Sequence, residues 1–581
     1  MKQTGTLTKS VKARRVTALL VLGCMLQNCH AQYRDFDIVR DSSAWLTVSN
    51  AAGLVRYGEG SITKAELSTQ MARGRFVNFD DSPKSTDLNA SIESFFRISP
   101  STTVYGRMSY NSFSGHEMGG SAFIPSVSLP AFPLSRLPVA FPRTIHRPFD
   151  IIEDSLTNLG RTHGDSYQLT GSIGTDLYHG IAIGAAIDYT AANFAKYKDL
   201  RHSNKLSDMT MTVGTLIPAT RWLSFGADVY YRRNIESLNF SLFGRDDKVY
   251  KSLIDYSVMT GRIEQFGNYG FTNNYYEMPL LDEHKGFGLQ MEIAPSNSRI
   301  SLFSSFHYAH RNGYYGKHSP YTITYTGHSS DIYEYAGRLT LKANATKHFL
   351  TLHINAELLN NRLNSYRELK SEAGSTFYEY YTPVKTGDKS WVEGDLSYTL
   401  YVNTRHNSPI TLYPSYIVHA SYHWLHRKQT AYAYPFLRHQ HLNNSLFTFD
   451  ISRNVQIHSS LLSINMNGSF LQGWGTPCLD KTFIQPSDKQ TPPPSMEYYL
   501  LREHRYLTAP QYTIGCGAKY ALYNITWLKG YPSVAISILH KKCNAPHALS
   551  PLLASDGGHA FPDFSSERDH TTVTFTIGYS F

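Results

Sequence analysis

The chain is 581 residues long and is 41% hydrophobic but only 17% charged, against about 25% charged in an ordinary globular protein. Past the N-terminus it has no apolar run near the roughly 18 residues that a spanning helix needs, which excludes a helical membrane protein. Its formal charge of +9 falls to +4 once a leader carrying +5 is set aside, and that removes the electrostatic support for nucleic-acid binding.

Residues 1–31 form that leader and are expected to be a signal peptide. Lys2, Lys9, Lys12, Arg14 and Arg15 make a basic start, and "VTALLVLGCML" is a short apolar core. Cys29 and Ala31 offer small residues to a signal peptidase before Gln32. Lipoprotein processing at "VLGC", with Cys24 lipidated, is the weaker rival because of its penultimate leucine. Export permits oxidation, yet Cys478, Cys516 and Cys543 are odd in number and lack zinc-type spacing. A Cys478–Cys543 bridge would join two expected loops.

Residues 32–60 read as a periplasmic N-terminal segment, and 61–581 as one all-β, antiparallel transmembrane barrel. From an entering strand near 62–71 onward the period is two. In "ISLFSSFHYAH", Ile300, Leu302, Ser304, Phe306 and Tyr308 share one face, and Ser301, Ser305 and His307 the other. In "HFLTLHINAE", Leu350, Leu352, Ile354 and Ala356 oppose Thr351, His353, Asn355 and Glu357. "WVEGDLSYTLYVN" sets Val392, Leu396, Tyr398, Leu400 and Val402 against Glu393, Asp395, Ser397 and Thr399.

Tight turns are expected at 99–102, 175–180, 218–221, 295–299, 344–347, 404–409, 452–454 and 528–532. Long loops are expected at 114–163, 234–282, 311–330, 359–388, 472–509 and 542–569. Short periplasmic turns and long extracellular loops are the layout of outer-membrane barrels. Eight hairpins with the entering and terminal strands give about 18 strands, or 14 to 16 if weak segments are over-read. Segments of about 9–13 residues suit tilted spanning strands, and Tyr308, Tyr398, Tyr416 and Tyr579 suit interfacial girdles. In hydrocarbon every backbone polar group must pair within the protein, so a chain without spanning helices crosses only as a closed barrel. A secreted propeller would show blade repeats, and none is present.

The chain ends in "TTVTFTIGYSF", with its odd positions toward lipid and its even ones, Thr572 through Ser580, toward the lumen. Val573, Phe575, Ile577, Tyr579 and Phe581 make this ending resemble the terminal insertion signal of outer-membrane barrels. The resemblance implies recognition by the barrel-assembly machinery and closure against the first strand. At the other end, "SAWLTVSNAAGLVRYGEGSITKAELSTQMARGRF" (43–76) resembles the leading segment of barrels related to long-chain fatty-acid transporters. Those carry an Asn-Pro-Ala-Gly-Leu-like stretch, and "NAAGL" (Asn50 to Leu54) lacks its proline. More specifically, the arrangement is similar to an uncharacterised barrel family of Gram-negative anaerobes. It implies a protein of the cell outer membrane, among its lipids, with 32–60 a candidate partial plug. Only about 30 residues separate the expected mature start at Gln32 from the first strand, too few for the plug domain of a 22-stranded TonB-dependent receptor.

No GxSxG elbow, HExxH, P-loop or EF-hand loop is present. Acid/His clusters at 281–284, 501–504 and 567–570 read as a solvated rim, with His284, His504 and His570 the residues of an alternative hydrolase. His419 and His423 share the lumen parity but stand about 13 Å apart, too far for one metal ion. His439 and His441, about 7 Å apart on one face, with His426 across the loop, read as a polar rim rather than a metal site. No enzyme activity and no cofactor is expected. Pro125, Pro130, Pro133, Pro138, Pro142 and Pro148 stiffen loop 114–163, making it a constriction of the mouth, a docking surface or a cover for its neighbours. The leading expectation is a channel or transporter for small solutes, gated by that loop. The alternatives are a plugged barrel that docks a surface lipoprotein or secretion partner, and a barrel-embedded hydrolase.

Overall fold

Alternation of apolar and polar residues folds into antiparallel strands over most of the chain. The computed structural model describes residues 35–581 except 59, 126–146, 154–158, 244–249, 267–277, 297, 320, 403–412, 495–496, 524–529 and 545–567. The leader, the turn at 404–409 and Pro130, Pro133, Pro138 and Pro142 therefore lie outside the described residues.

The wall begins with β1 (Ile62–Arg73), β2 (Lys84–Ser99) and β3 (Thr102–Met118). After a short loop strand β4 (Asp150–Glu153) come β5 (Gly160–Tyr178), β6 (Ile181–Lys196), β7 (Arg201–Pro218) and β8 (Leu223–Ser241). β9 (Tyr250–Ser257) and β10 (Thr260–Phe266) are again loop strands, followed by β11 (Met278–Ile293), β12 (Ile300–Ser319), β13 (Thr322–Lys342) and β14 (Thr346–Leu363). A small hairpin, β15 (Tyr366–Lys370) and β16 (Thr376–Tyr380), precedes β17 (Val384–Val402), β18 (Tyr416–Ala433) and β19 (Phe436–Ile457). β20 (Ser460–Thr482), β21 (Gln511–Leu522), β22 (Tyr531–Cys543) and β23 (Asp569–Ser580) complete the circuit. Eighteen of these strands form one sheet, and β23 pairs with β1 from Lys64↔Ser580 to Arg73↔Thr571, which closes it. Phe581 extends the seam by exchanging backbone hydrogen bonds with Thr63 at 2.7 and 2.9 Å.

The parity follows the alternation. Leu350, Val392, Leu396, Phe306, Val573, Phe575 and Ile577 are exposed on the outside. Thr351, His353, Asn355, Asp395, Ser397, Thr572 and Thr574 line the lumen. On β12 the outward residues run Ile300, Leu302, Ser304, Phe306 and Tyr308 before His310, and on β11 Ile293, Met291, Leu289 and Phe287 before Lys285. That apolar belt is about nine residues long, roughly 23 Å tall for a tilted strand. A closed antiparallel barrel with such a belt has no free edge to offer the lipid. The protein is an outer-membrane barrel.

Three expectations on connections are corrected. Residues 452–454 are not a turn: β19 runs through them to Ile457, and the chain reverses at His458, in the left-handed region at φ 50°. The segment 311–330 is not a loop, because β12 and β13 pair through it up to Ser319↔Thr322. Strands of up to 23 residues, against the 9–13 expected, have the same cause. Above the belt both faces are polar, so the period-two signal fades while backbone pairing continues. The turn at 528–532 is likewise shifted, since β22 already includes Tyr531 and Pro532. Cys478 packs beside one apolar cluster and Cys543 within another, and no disulfide joins them, so the expected bridge does not form.

Closed barrels resist detergent unfolding until heated. Unboiled protein should therefore migrate differently from boiled protein on a denaturing gel, and recovery of folded protein in the soluble periplasmic fraction would contradict the architecture.

Candidate functional site

Residues 35–58 enter the lumen at its periplasmic end. They form helix α1 (Phe36–Arg40) and two 3-10 turns, Ala44–Thr47 and Ala51–Arg56. Asp35 caps α1 by accepting from the amides of Asp37 and Ile38 at 3.0 and 3.1 Å. Asn50 works in two directions. Its Oδ1 accepts from Ala52 N at 3.1 Å and so caps the second turn, while its Nδ2 donates to Gln290 Oε1 at 2.8 Å and Thr215 O at 3.0 Å on the wall. Trp45 is 1% exposed; its indole donates to Glu292 at 2.7 Å and its ring meets Phe303 edge-on at 5.1 Å. Phe36 and Tyr57 stack on Phe95 at 5.3 and 5.0 Å.

The wall is hollowed to receive this segment. Gly174 on β5 is registered with Gly184 on β6, and Gly184 with Gly214 on β7. A Cβ at Gly174 would lie 2.5 Å from Ala51 O, and one at Gly184 or Gly214 would collide with Ala51–Ala52 or with Asn50. Glycine inside a strand costs roughly 0.5–1 kcal/mol relative to alanine. Three in one row make physical sense only if another backbone must approach there.

The outer end is closed by loops rather than by the N-terminus. β4, β9 and β10 form a three-stranded sheet that lies against β14, β17 and β18 inside the mouth. Helix α2 (Glu497–Thr508) lies on β19 and β20. Phe149 stacks on Tyr315 at 4.3 Å within an apolar cluster that includes Phe123, Ile151 and Ile254. Inward side chains of the wall grip these loops. Asn204 donates to Ala122 O at 2.9 Å, Lys389 to Arg147 O at 2.8 Å, and Asn361 to Tyr256 O at 2.6 Å, while Glu236 accepts from Ile124 N at 2.7 Å. Lys196 pairs with Glu153 at 2.6 Å, both fully buried. Arg427 holds Glu503 of α2 with two bonds, at 3.0 and 2.8 Å. Removing one partner of such a pair strands a buried charge, at about 3–5 kcal/mol.

Between floor and ceiling lies a cavity of about 1410 Å³, larger than the roughly 300–1,000 Å³ of ordinary ligand pockets. Its charged groups are largely paired. Arg311 bridges Asp282 and Glu357 at 3.0 Å each, Arg232 holds Asp208 at 2.6 Å, and His353 meets Glu334 at 3.0 Å.

The candidates read from sequence are dispersed. Asp282 and His284 lie on β11, Arg502, Glu503 and His504 on α2, and Asp569 and His570 on β23, so the three acid/His clusters sit on separate elements. The first two are buried, not a solvated rim, because the loop cap covers them. His419 and His423 face inward, as their parity requires. His426 and His441 meet on the outer face with ring centres 4.9 Å apart, and His439 bonds Thr430 instead. Among the described residues no three His, Cys, Asp or Glu side chains are placed to hold a metal ion. Pro148 lines the chamber and Pro125 flanks its ceiling. The glycine row and the loop-gripping side chains went unread in the sequence. Their only linear trace is glycine in the middle of otherwise regular strands.

The fold defines an outer-membrane β-barrel with chain segments packed inside both ends of its lumen. The chain belongs to a family of unknown function, DUF6850, which matches it over residues 156–581. No curated protein sequence matches it. Among solved structures it is similar to the ferric preacinetobactin receptor BauA of Acinetobacter baumannii at 8% identity, over 89% of this chain and 80% of that one, with a TM-score of 0.37. It is also similar to a mutant of the monoaromatic hydrocarbon channel TodX at 10% identity, over 92% and 93% of the two chains, with a TM-score of 0.30. A mutant ferric enterobactin receptor, PfeA of Pseudomonas aeruginosa, matches at 9% identity over 90% and 81%, with a TM-score of 0.39.

Two outcomes follow from the floor and the ceiling. Gly184→Val should expel residues 35–57, read as new protease cleavage between them in folded, heat-modifiable protein. In the loop 74–83, burial pushes the Asp80 carboxyl up to about 8, with Asp81 adding to the shift and Arg147 opposing it. The folded loop then holds a proton that an unfolded chain releases near 3.8. Its contribution to stability is therefore lost as pH rises through about 8. Amide protection in 74–83, corrected for the intrinsic rise of exchange with pH, should fall between about pH 4 and pH 8, and Asp80→Asn should flatten that dependence.

Proposed function

We propose that the protein is a gated outer-membrane transporter for small hydrophilic solutes. In this reading residues 35–57 are a periplasmic plug, and the loop segments 119–125 and 147–153, with Pro125 and Pro148, belong to the outer gate. The observation that carries it is the cavity of about 1410 Å³ between the two inward segments, into which Thr351, His353, Ser397, Asp395 and other polar side chains of the wall point. A barrel that served only as a scaffold could fill its interior with side chains. This one keeps space there, and hollows its wall with a glycine row so that a separate segment can fit against it. The floor adds glycine fit to apolar stacking, and the ceiling adds buried ion pairs to an apolar cluster, so the two closures can respond to different events.

Conductance across planar bilayers tests the reading. Intact protein should conduct rarely, and a variant lacking both 35–57 and 120–150 should conduct continuously, with its heat-dependent gel mobility as the control for folding. Silence of that folded variant would overturn the transporter reading and favour a platform that docks a surface lipoprotein.

A further inference from the structure

Antiparallel register sorts the inward side chains of the chamber into rows, one residue per strand. From β13 to β22 one row reads Arg338, Thr351, Ser397, Ser421, Thr448, Ser469, Thr513 and Lys541. Six neighbouring strands thus present six consecutive hydroxyls, and all six line the chamber. Seven strand-to-strand steps of about 4.8 Å make the row roughly 34 Å long. Because barrel strands are tilted, a row across them climbs the wall. Its lower end is Arg338, whose guanidinium donates to Asp41 O in the N-terminal segment. Its upper end is Lys541, whose ammonium donates to the Tyr506 hydroxyl of α2 at 2.8 Å. The hydroxyls therefore form a continuous track from the floor to the ceiling.

The adjacent rows are different. On the outer side run His353, Asp395, His423 and Leu446, and on the periplasmic side Phe349, Thr399, His419 and Asp450. Within the track Ser421 and Thr448 bond each other at 2.6 Å, and Ser397 bonds Asp395. Thr351, Ser469 and Thr513 have no side-chain hydrogen-bond partner among the described residues, and Thr513 is only 6% exposed. A buried hydroxyl facing an enclosed space retains hydrogen-bonding capacity for whatever occupies that space.

We infer that this row is the binding track for uncharged, unbranched oligosaccharides on their way through the barrel, an inference that rests on the transporter reading. Each hydroxyl both donates and accepts without charge, which matches the hydroxyls of a sugar. A charged solute would give up hydration along a row whose six central positions offer no counter-charge. An apolar solute would leave the hydroxyls unsatisfied. The length of the row suits a chain of units rather than one small molecule.

The test uses the purified full chain and the variant lacking 35–57 and 120–150. Calorimetry is run with maltose-, cellulose-, xylan- and mannan-derived oligosaccharides of two to six units, with anionic oligogalacturonides as the contrast. At least one neutral series should bind more tightly as it lengthens, and T448V/S469A/T513V, with heat-dependent mobility retained, should weaken that binding about tenfold or more. No binding of any neutral series by the opened variant, unchanged affinity in the hydroxyl variant, or a preference for the anionic series would each overturn the inference. An opened variant that passes ions yet binds no sugar leaves the transporter reading standing and removes this one. A variant that passes nothing removes both.

Discussion

Everything in this protein depends on one constraint, the obligation of backbone N–H and C=O groups to find partners inside the protein when the solvent is hydrocarbon. The constraint is met at a single seam, where β23 pairs with β1 and Phe581 adds two further bonds to Thr63. Without that seam two strands would expose unpaired edges within the lipid. With it, the outer surface needs nothing more than apolar side chains at every second position, and its chemistry is correspondingly uniform.

The inner surface faces a different problem. A wide barrel encloses more volume than its own side chains fill, and the chain solves this with material from elsewhere in the sequence. At the floor the solution is shape: a registered row of three glycines accepts a backbone, and Asn50 joins that backbone to the wall while capping its own turn. At the ceiling the apolar cluster around Phe149 and Tyr315 is joined by buried ion pairs, Lys196–Glu153 and Arg427–Glu503. Shape complementarity of this kind can be undone one contact at a time. A buried ion pair is costly to separate because each charge needs its partner or water. The two ends of the chamber therefore differ in how they are held as well as in which residues hold them.

Between them, register carries information that linear sequence conceals. Thr351 and Thr513 are 162 positions apart, yet they belong to one row because each intervening strand contributes one hydroxyl in register with the next. The charges on the rest of the wall are mostly neutralised by neighbours, as in Arg311 between Asp282 and Glu357. What remains available inside the chamber is uncharged hydrogen-bonding capacity aligned from one closure to the other.

Much of this was legible in the sequence. Period-two patterning gave the faces of Leu350 and Thr351 or Val392 and Glu393 correctly, and turn residues gave the strand number, because both are local properties of a pleated strand in a two-sided environment. Legibility failed where that environment ended. Above the lipid belt both faces of β12 and β13 are polar, so 311–330 read as a loop, and at 452–454 turn-like residues sat inside a strand whose pairing overrode them. The sequence by itself determined which way each side chain of the wall points. Only the tertiary structure decided which residues stand beside one another: Gly174 with Gly184 and Gly214, the Asn50–Ala52 backbone against that row, and six hydroxyls in a line. The reason is physical. Side-chain direction is set within a strand by the pleat, whereas neighbourhood is set by register between strands and by where the barrel closes.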